Sequence, residues 1–271
     1  MFGVFFVSNP YPPHTCGFYD GFNTYTYYLT DFEDSEAMLL KCLQDMLVPK
    51  YHKYTVYCHN FARFDFIFLH KIFHLHFDPC NIISKELNII SISITSRTKI
   101  GKVKPKLYFK DSFCILPSSL DRLGKSFGVE TPKGHFPYTF VNANNLNYIG
   151  DIPEFKFYEA GTERITIEIY NEIKNNMCSS STWSIRVETI SYLTKDLVCL
   201  HQIVLRLRIE WYYIKKKYRV NITNHSTISG LAMAIFRSGF LPSDLKLAHT
   251  SMYKTRTYSH SARSTMFYQL N

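Results

Sequence analysis

Short runs of apolar and β-branched residues, separated by turn residues, show where strands are expected. Residues 18–30 hold two aromatic, β-prone runs around a Gly-Phe-Asn turn, which predicts a hairpin. Residues 54–58 are typical of a short buried strand, and residues 87–95 alternate apolar and polar side chains. A basic turn (99–106) follows, and residues 107–113 are the expected partner strand.

Between these strands, apolar side chains recur every three or four residues, which is the spacing of an amphipathic helix. The first such segment can be capped by Ser35 or Asp34. Helices are predicted over residues 34–47, 65–77, 118–127, 165–177, 186–218 and 227–238, the last stopped by Gly239. Residues 128–162 are expected to form an ordered loop. The alternation of strands and helices predicts a mixed α/β sheet with helices on its faces.

Composition narrows the class of protein. The chain has 271 residues, of which 46% are hydrophobic and 20% charged, so a disordered or coiled-coil chain is excluded. No apolar run is long enough to predict a membrane span. The net charge of +9 permits a nucleic-acid partner without requiring one. The seven cysteines are scattered without a Cys-x-x-Cys pair, which argues against a disulfide framework or a zinc ribbon.

A first polar cluster follows the strand predicted at residues 54–58. The chain continues through His59 and Asn60 into a helix that is expected to begin at Asp65. Open α/β sheets place their sites at the carboxyl ends of strands, so this is a candidate site. The structural alternative is that Asn60 caps the helix and Asp65 only complements its dipole.

A second cluster lies on the long helix predicted at residues 186–218. Tyr192 and Asp196 are four residues apart and therefore share one face of that helix. A carboxylate can hold a divalent cation, and a phenol one turn away can orient the attacking water in two-metal phosphodiester hydrolysis. Taken alone, a Tyr-x-x-x-Asp pair is more often structural.

Taken together, the two clusters resemble the exonuclease motifs of family B DNA polymerases. HNFARFD (59–65) is similar to the second motif and YLTKD (192–196) to the third. Three longer segments resemble the protein-primed polymerases of mitochondrial linear plasmids: KDSFCILPSSLDRLGKSFGVE (110–130), FPYTFVNANNLNYIGDIPEF (136–155) and NITNHSTISGLAMAIFRSGFL (221–241). The resemblance covers residues 17–241, and it is expected to stop near Leu241.

The resemblance implies a ribonuclease H-like 3′–5′ exonuclease domain, with a mixed sheet flanked by helices, followed by the helical start of a polymerase region. The implied units are an exonuclease-like domain (1–204), a helical connection (205–241) and a weakly ordered, divergent tail (242–271). It also implies a mitochondrial location and Mg²⁺ or Mn²⁺ as cofactor. The implied partner is the 3′ end of single-stranded DNA, and a terminal protein is a further candidate.

The resemblance also implies roles for individual residues. Asp65 and Asp196 would bind metal and, with Tyr192 as the water-orienting residue, form the catalytic set. Residues implied to contact or hold the single strand are Tyr57, His59, Asn60, Phe64, Ser119 and Leu120. Aromatic faces stack on unpaired bases of any sequence, which suits such a role.

The chain departs from the family pattern in two ways. The first exonuclease motif, Asp-x-Glu on the first strand, is missing, because no acid precedes Asp20. Asp31 and Glu33 have the right spacing but follow the predicted hairpin. The polymerase motifs are also missing. We therefore expect a truncated polymerase with a degenerate exonuclease domain that is inactive alone.

Two other functions stay open at this stage. One is a free-standing nuclease in which Asp31 and Glu33 replace the missing ligands, and the other is a non-catalytic single-strand binder. The basic turn (99–106) could meet phosphates, although a solvated hairpin tip explains it equally well. We expect no zinc at the histidines of the second predicted helix, which alternate with large apolar side chains (His70, His74 and His76).

Overall fold

The protein is built around one mixed seven-stranded sheet. A computed structural model describes residues 2–7, 13–85, 88–131, 133–158, 165–177 and 182–241. The strands of the sheet are β1 (Phe2–Val7), β2 (Thr15–Tyr19), β3 (Thr24–Tyr28), β4 (Tyr54–Cys58), β5 (Phe77–Lys85), β6 (Asn88–Ser96) and β7 (Lys106–Asp111). The two short strands β8 (Ile149–Gly150) and β9 (Trp183–Ser184) form a separate pair. The predicted tail at 242–271 lies outside the described residues.

The strand order is β3-β2-β1-β4-β7-β6-β5. The hairpin β2–β3 and the pair β1–β2 are antiparallel, whereas β1–β4 and β4–β7 are parallel. This confirms the predicted mixed sheet and the ribonuclease H-like class. Because β1, β4 and β7 are parallel, their carboxyl ends meet at one edge of the sheet, and the first predicted motif follows β4 at that edge.

Four strands were not predicted from the sequence pattern: β1, β8, β9 and β5, the longest of the four. β5 contains Pro79, and Asn81 has a left-handed backbone with φ of 51°. Its pairing with β6 shifts register between Cys80 and Ile83. Proline and a bulge are tolerated at a sheet edge, and both remove the alternation by which a strand is recognised in a sequence.

The helices follow the prediction with local differences. They are α1 (Ser35–Met46), α2 (Asp65–His76), α3 (Leu120–Phe127), α4 (Ile167–Met177), α5 (Ile185–Glu210), α6 (Tyr212–Tyr218) and α7 (Ile228–Gly239). The long helix expected at 186–218 is broken at Trp211, and the expected unit boundary at 204/205 falls inside α5. Gly239 is the last residue of α7 rather than the stop after it. Within the described residues, no helix is both long and apolar enough to cross a membrane.

The two faces of the sheet carry different helices. Buried residues of α1 and α2 pack on one face, against Val56, Leu107 and Phe109. On the opposite face, α5 packs over β1, β2 and β3, and α3 packs against α5. Gly17 of β2 allows the close approach of α5, because a Cβ there would lie 3.2 Å from the Leu193 side chain. The sheet therefore separates α2, which carries Asp65, from α5, which carries Asp196.

A buried carboxylate closes the β2–β3 hairpin. Asp20 Oδ1 accepts hydrogen bonds from the backbone N–H groups of Phe22 and Asn23, at 2.9 and 2.8 Å. Its Oδ2 accepts from Lys50 Nζ at 2.8 Å and from the Tyr51 hydroxyl at 2.7 Å. Burial alone would raise the pKa of Asp20, but these four hydrogen bonds hold it below its ordinary value of 3.8.

Replacing Asp20 with Asn should therefore lower stability in a pH-dependent way. An acid whose pKa is depressed by folding stabilises the protein above its unfolded pKa and loses that contribution as the pH falls. We expect Asp20→Asn to cost about 1–3 kcal/mol at pH 7, with the difference from wild type shrinking below about pH 4. Urea melts between pH 3 and 7 measure this. Asp121, a half-buried acid paired with Lys125 on α3, is changed to Asn as the control. A pH-independent loss in Asp20→Asn would contradict the explanation.

Candidate functional site

The turn that leaves β4 is held by a carboxylate from the next strand. Asp111, the last residue of β7, is 4% exposed, and its Oδ1 accepts from the N–H groups of Asn60 and Phe113, both at 2.9 Å. The N–H groups of Phe61 and Ala62 also donate to it. Asn60 has φ of 61°, a conformation that asparagine tolerates better than most residues. One side chain thus sets the path of the chain toward Asp65.

Asp111 was not singled out by the sequence analysis, although it lies in the segment KDSFCILPSSL that carried the resemblance. The available signal was an acid near the end of the strand predicted at residues 107–113. Burial raises the pKa of Asp111, and the four backbone N–H donors act in the opposite direction. Its hydrogen bonds assign it a structural role in positioning the turn.

His59 connects this turn to the start of α3. Its Nε2 lies 2.9 Å from the carbonyl oxygen of Ser118, so Nε2 carries the proton, since a carbonyl can only accept. Its Nδ1 lies 3.0 Å from the hydroxyl oxygen of Ser112, which is also 2.8 Å from the carbonyl oxygen of Cys58. Burial lowers the pKa of His59. The ring therefore ties the end of β4 to the Ser119–Leu120 segment, and any contact with DNA would use its remaining exposed edge.

Asp65 begins α2 and is buried, with 1% of its surface exposed. The interpretation of Asn60 as the cap of this helix is wrong, because the N-cap position is Phe64 and no side chain caps it. Asn60 instead supplies the carbonyl that accepts from the N–H groups of Arg63 and Phe64. Phe64, next to this buried acid, is 43% exposed. An aromatic side chain has to be exposed in this way to stack on a base.

Tyr192 and Asp196 lie one turn apart on α5, with 6% and 1% of their surfaces exposed. Burial raises the pKa of Tyr192 well above its ordinary value, and the neighbouring Asp196 carboxylate raises it further. The phenol is therefore protonated and can donate. The predicted pairing of these two residues on one helical face is confirmed.

A strap of residues 133–138 lies along α5 beside this pair. A Cβ at Gly134 would come within 3.1 Å of the Tyr192 ring, and Phe136 has its ring centre 5.1 Å from that of Tyr192. The Tyr138 and Tyr192 hydroxyls are hydrogen-bonded. Burial lowers the pKa of His59 and raises that of Cys199, and the Lys133 charge acts on both groups in the lowering direction. The strap therefore packs against α5 at Tyr192.

The strap was not predicted as a separate feature, because it lies within the segment that was expected to form an ordered loop (128–162). The available signal was the run Lys-Gly-His-Phe-Pro-Tyr, in which a lysine, a glycine and three aromatic residues occur together. A periodicity analysis cannot detect it, because the strap is neither a helix nor a strand.

The other predicted DNA contacts differ in exposure. Ser119 is exposed and caps α3 by accepting from the Arg122 N–H at 3.3 Å. Leu120 and Tyr57 are 7% and 4% exposed and pack in one core cluster with Leu193 and Leu197. Burial raises the pKa of Tyr57 to about 12. Tyr57 thus belongs to the core on which Leu120 packs. Its contact with a DNA strand stays a prediction.

The carboxylates expected for a two-metal site are not assembled in the described part of the chain. Among those residues, no three His, Cys, Asp or Glu side chains are grouped so that they could hold a metal ion. The first strand forms, but its sequence FGVFFV contains no acid. Asp31 forms an ion pair instead: its carboxylate oxygens lie 2.8 and 2.5 Å from the guanidinium of Arg186, at the start of α5. Glu33 is exposed.

Arg186 and Asp196 are ten residues apart on α5, or roughly 15 Å along the helix axis. Asp31 therefore sits about three helical turns from the acid that it was expected to assist. The hypothesis that Asp31 and Glu33 replace the missing ligand pair is not supported by this geometry. The residues present do not fit a tightly held pair of Mg²⁺ or Mn²⁺ ions.

Comparison with known families gives one match over most of the chain. Residues 45–261 match the family described as DNA polymerase type B, organellar and viral. The match continues 20 residues beyond Leu241, where the resemblance was expected to stop. The resemblance was therefore predicted to end too early in the chain.

Curated relatives are described as probable DNA polymerases. The chain is 31% identical over 264 residues to a "Probable DNA polymerase" of Podospora anserina, covering 82% of this chain and 21% of the relative. It is 32% identical over 213 residues to one of Neurospora intermedia, covering 78% and 22%. The chain thus spans about a fifth of the length of these relatives.

Among solved structures, the chain is similar to phi29 DNA polymerase complexed with primer-template DNA, with 16% identity and a TM-score of 0.42 over 82% of this chain and 30% of that one. The same polymerase complexed with single-stranded DNA gives 16% identity and a TM-score of 0.39 over 73% and 28%.

The role of Asp111 can be tested by replacing it with Asn. The amide keeps one acceptor oxygen but presents an NH₂ group to backbone donors, so at least one buried N–H loses its partner. We expect Asp111→Asn to lower the free energy of unfolding by about 1–3 kcal/mol. Chemical denaturation measures the change, with the exposed Asp151→Asn as control. Equal stability of the two variants would show that the carboxylate does not hold the turn.

Proposed function

Because this chain belongs to the organellar and viral type B DNA polymerases, we propose that it is an exonuclease-type domain that binds the 3′ end of single-stranded DNA without hydrolysing it. The observation that carries the proposal is the contact of the β4 turn with the start of α3, and of α3 with α5, beside the buried Asp65 and the exposed Phe64. The missing first motif supports the absence of hydrolysis.

Strand binding is supported by the surface around Asp65. Phe64 presents an exposed aromatic ring, and Ser119 exposes a hydroxyl at the start of α3. Stacking on an aromatic side chain contributes about 1–3 kcal/mol per base, whatever the sequence. The lysine of the strap adds a positive charge near the same turn, where a phosphate would be attracted.

The absence of hydrolysis is supported by the ligand count. Two-metal hydrolysis needs ions about 3.5–4 Å apart, bridged and flanked by several carboxylates. Here Asp65 and Asp196 are the two acids of the resembled motifs, and β1 adds none. Mg²⁺ or Mn²⁺, expected for the family, would have at most these two ligands from the motifs. We also propose a mitochondrial location and a terminal protein as partner, both from the resemblance alone.

Binding and hydrolysis can be separated with a 5′-labelled oligo-dT. We expect salt-sensitive binding that weakens roughly tenfold in Phe64→Ala, because one stacking contact is lost. Phe22 is an even more exposed aromatic residue on the β2–β3 turn (78%, against 43% for Phe64), and Phe22→Ala should bind as wild type does. Fluorescence anisotropy measures both.

In the same reactions with Mg²⁺ or Mn²⁺ we expect neither shortening of the oligonucleotide nor extension of an annealed primer when nucleotides are added. Shortening that disappears in both Asp65→Ala and Asp196→Ala would favour the free-standing nuclease instead. Clear primer extension would show that the chain polymerises. The absence of any binding at low salt would remove the proposed function altogether.

A further inference from the structure

Four lysines lie at the opposite end of the sheet from the candidate site. We call them the lysine edge: Lys53 immediately before β4, Lys99 and Lys102 in the turn between β6 and β7, and Lys106 at the start of β7. Lys53, Lys99 and Lys102 are exposed, and Lys106 is half-buried with its Nζ 5.2 Å from the centre of the Tyr108 ring. This is a basic surface with an aromatic side chain within it.

The neighbouring cations Arg97 and Lys104 share one carboxylate, whereas those of the lysine edge have none among the residues that the structure describes. Arg97 and Lys104 both pair with Asp78, at 3.5 and 3.1 Å. Arg97 also donates to the carbonyls of His74, Leu75 and Phe77 at the end of α2. Within the described ranges, none of the four lysines of the lysine edge forms an ion pair with a carboxylate. Their charge is therefore available to an external anion.

Lys53 occupies a backbone conformation that disfavours a lysine. His52 has φ of −53° and ψ of 125°, and Lys53 has φ of 65°, which are the angles of a type II turn. The second of these positions ordinarily holds glycine or asparagine, since a residue with a Cβ pays about 1–2 kcal/mol there. Strained backbone positions cluster at functional sites, which makes the Lys53 charge a candidate for a binding role.

Lys53 is also held beside another lysine. Its N–H donates to the carbonyl of Lys106 at 2.7 Å, which places the two residues on neighbouring strands, about 5 Å apart. Like charges on adjacent strands destabilise a sheet, and a bound anion would remove that repulsion.

The turn that carries the other two lysines is rigid. Ile100 and Val103 exchange backbone hydrogen bonds of 2.8 and 3.3 Å around Gly101, whose φ is 63°. At its base, the Ser96 N–H donates to the Pro105 carbonyl at 2.8 Å. The positions of Lys99 and Lys102 are therefore fixed by the backbone, so less entropy is lost when a phosphate binds.

We propose that the lysine edge is a second DNA contact, which binds the phosphate backbone of a strand whose 3′ end lies at the candidate site. This rests on the proposed function. β4 spans five residues, so the two contacts lie about 17 Å apart along the strand direction. A short oligonucleotide occupies the candidate site alone, and a longer one reaches both.

The test compares two lengths of oligo-dT, about two and about twenty nucleotides, on wild type and on Lys53→Asn/Lys102→Gln. A strand advances about 3.4 Å per nucleotide, so two nucleotides cannot span both contacts. We expect the double variant to bind the long oligonucleotide roughly tenfold more weakly and the short one unchanged. The slope of log K against log salt for the long strand should fall by about 0.7 for each lost phosphate contact. Lys41→Gln, which removes a lysine paired with Asp45 on α1, should match wild type.

Stability separates a binding role from a structural one. Asparagine tolerates the left-handed conformation, so Lys53→Asn alone should melt at or above the wild-type temperature while weakening long-strand binding. Equal long-strand affinity in the double variant and in wild type would overturn the lysine edge and leave the proposed function standing. If the short strand never binds but the long one does, in a lysine-dependent way, the proposed function fails and the lysine edge remains. Binding of neither length overturns both.

Discussion

The site depends on one interaction: the Asp111 carboxylate accepts hydrogen bonds from four backbone N–H groups. Parallel pairing of β4 with β7 brings the end of one strand beside the end of the other. Asp111 is then placed to accept hydrogen bonds from the turn that follows β4. This allows Asn60 to adopt its left-handed conformation and α2 to begin at Asp65 without a side-chain cap. His59 extends the same turn to α3. Two stretches distant in sequence, 58–65 and 111–120, are thereby fixed at one edge.

The electrostatics of that edge are unusual for a hydrolytic centre. Asp65 and Asp196 are both 1% exposed, and buried carboxylates require a compensating charge or hydrogen bonds. Tyr192 provides such a partner to Asp196 from the protein itself. In the part of the chain that the structure describes, neither acid is joined by the further carboxylates that two cations would need. The positive charge that would attract an anionic strand along the sheet lies on the lysine edge.

Much of the fold could be predicted because the responsible signals are local. The apolar spacing in α1 and α3, their Asp34 and Ser119 caps, and the turn of the β2–β3 hairpin each act within a few residues. The break at Trp211 could not be predicted, because apolar spacing continues through it. Asp111, Lys133 and the strained Lys53 were missed for a related reason. Their roles arise from strand pairing and from the strap, which bring together residues that no short sequence window contains. The Asp31–Arg186 pair likewise depends on how α5 is placed.

The central claim is that this edge of the sheet binds a strand but lacks the ligands for tightly held metal, and Mn²⁺ binding tests it most directly. Electron paramagnetic resonance reports free Mn²⁺ during a titration of the purified chain, in parallel with an Asp65→Asn/Asp196→Asn variant. The account predicts the same weak, non-stoichiometric uptake by both proteins. Stoichiometric binding of one or two ions by wild type, lost in the variant, would contradict it.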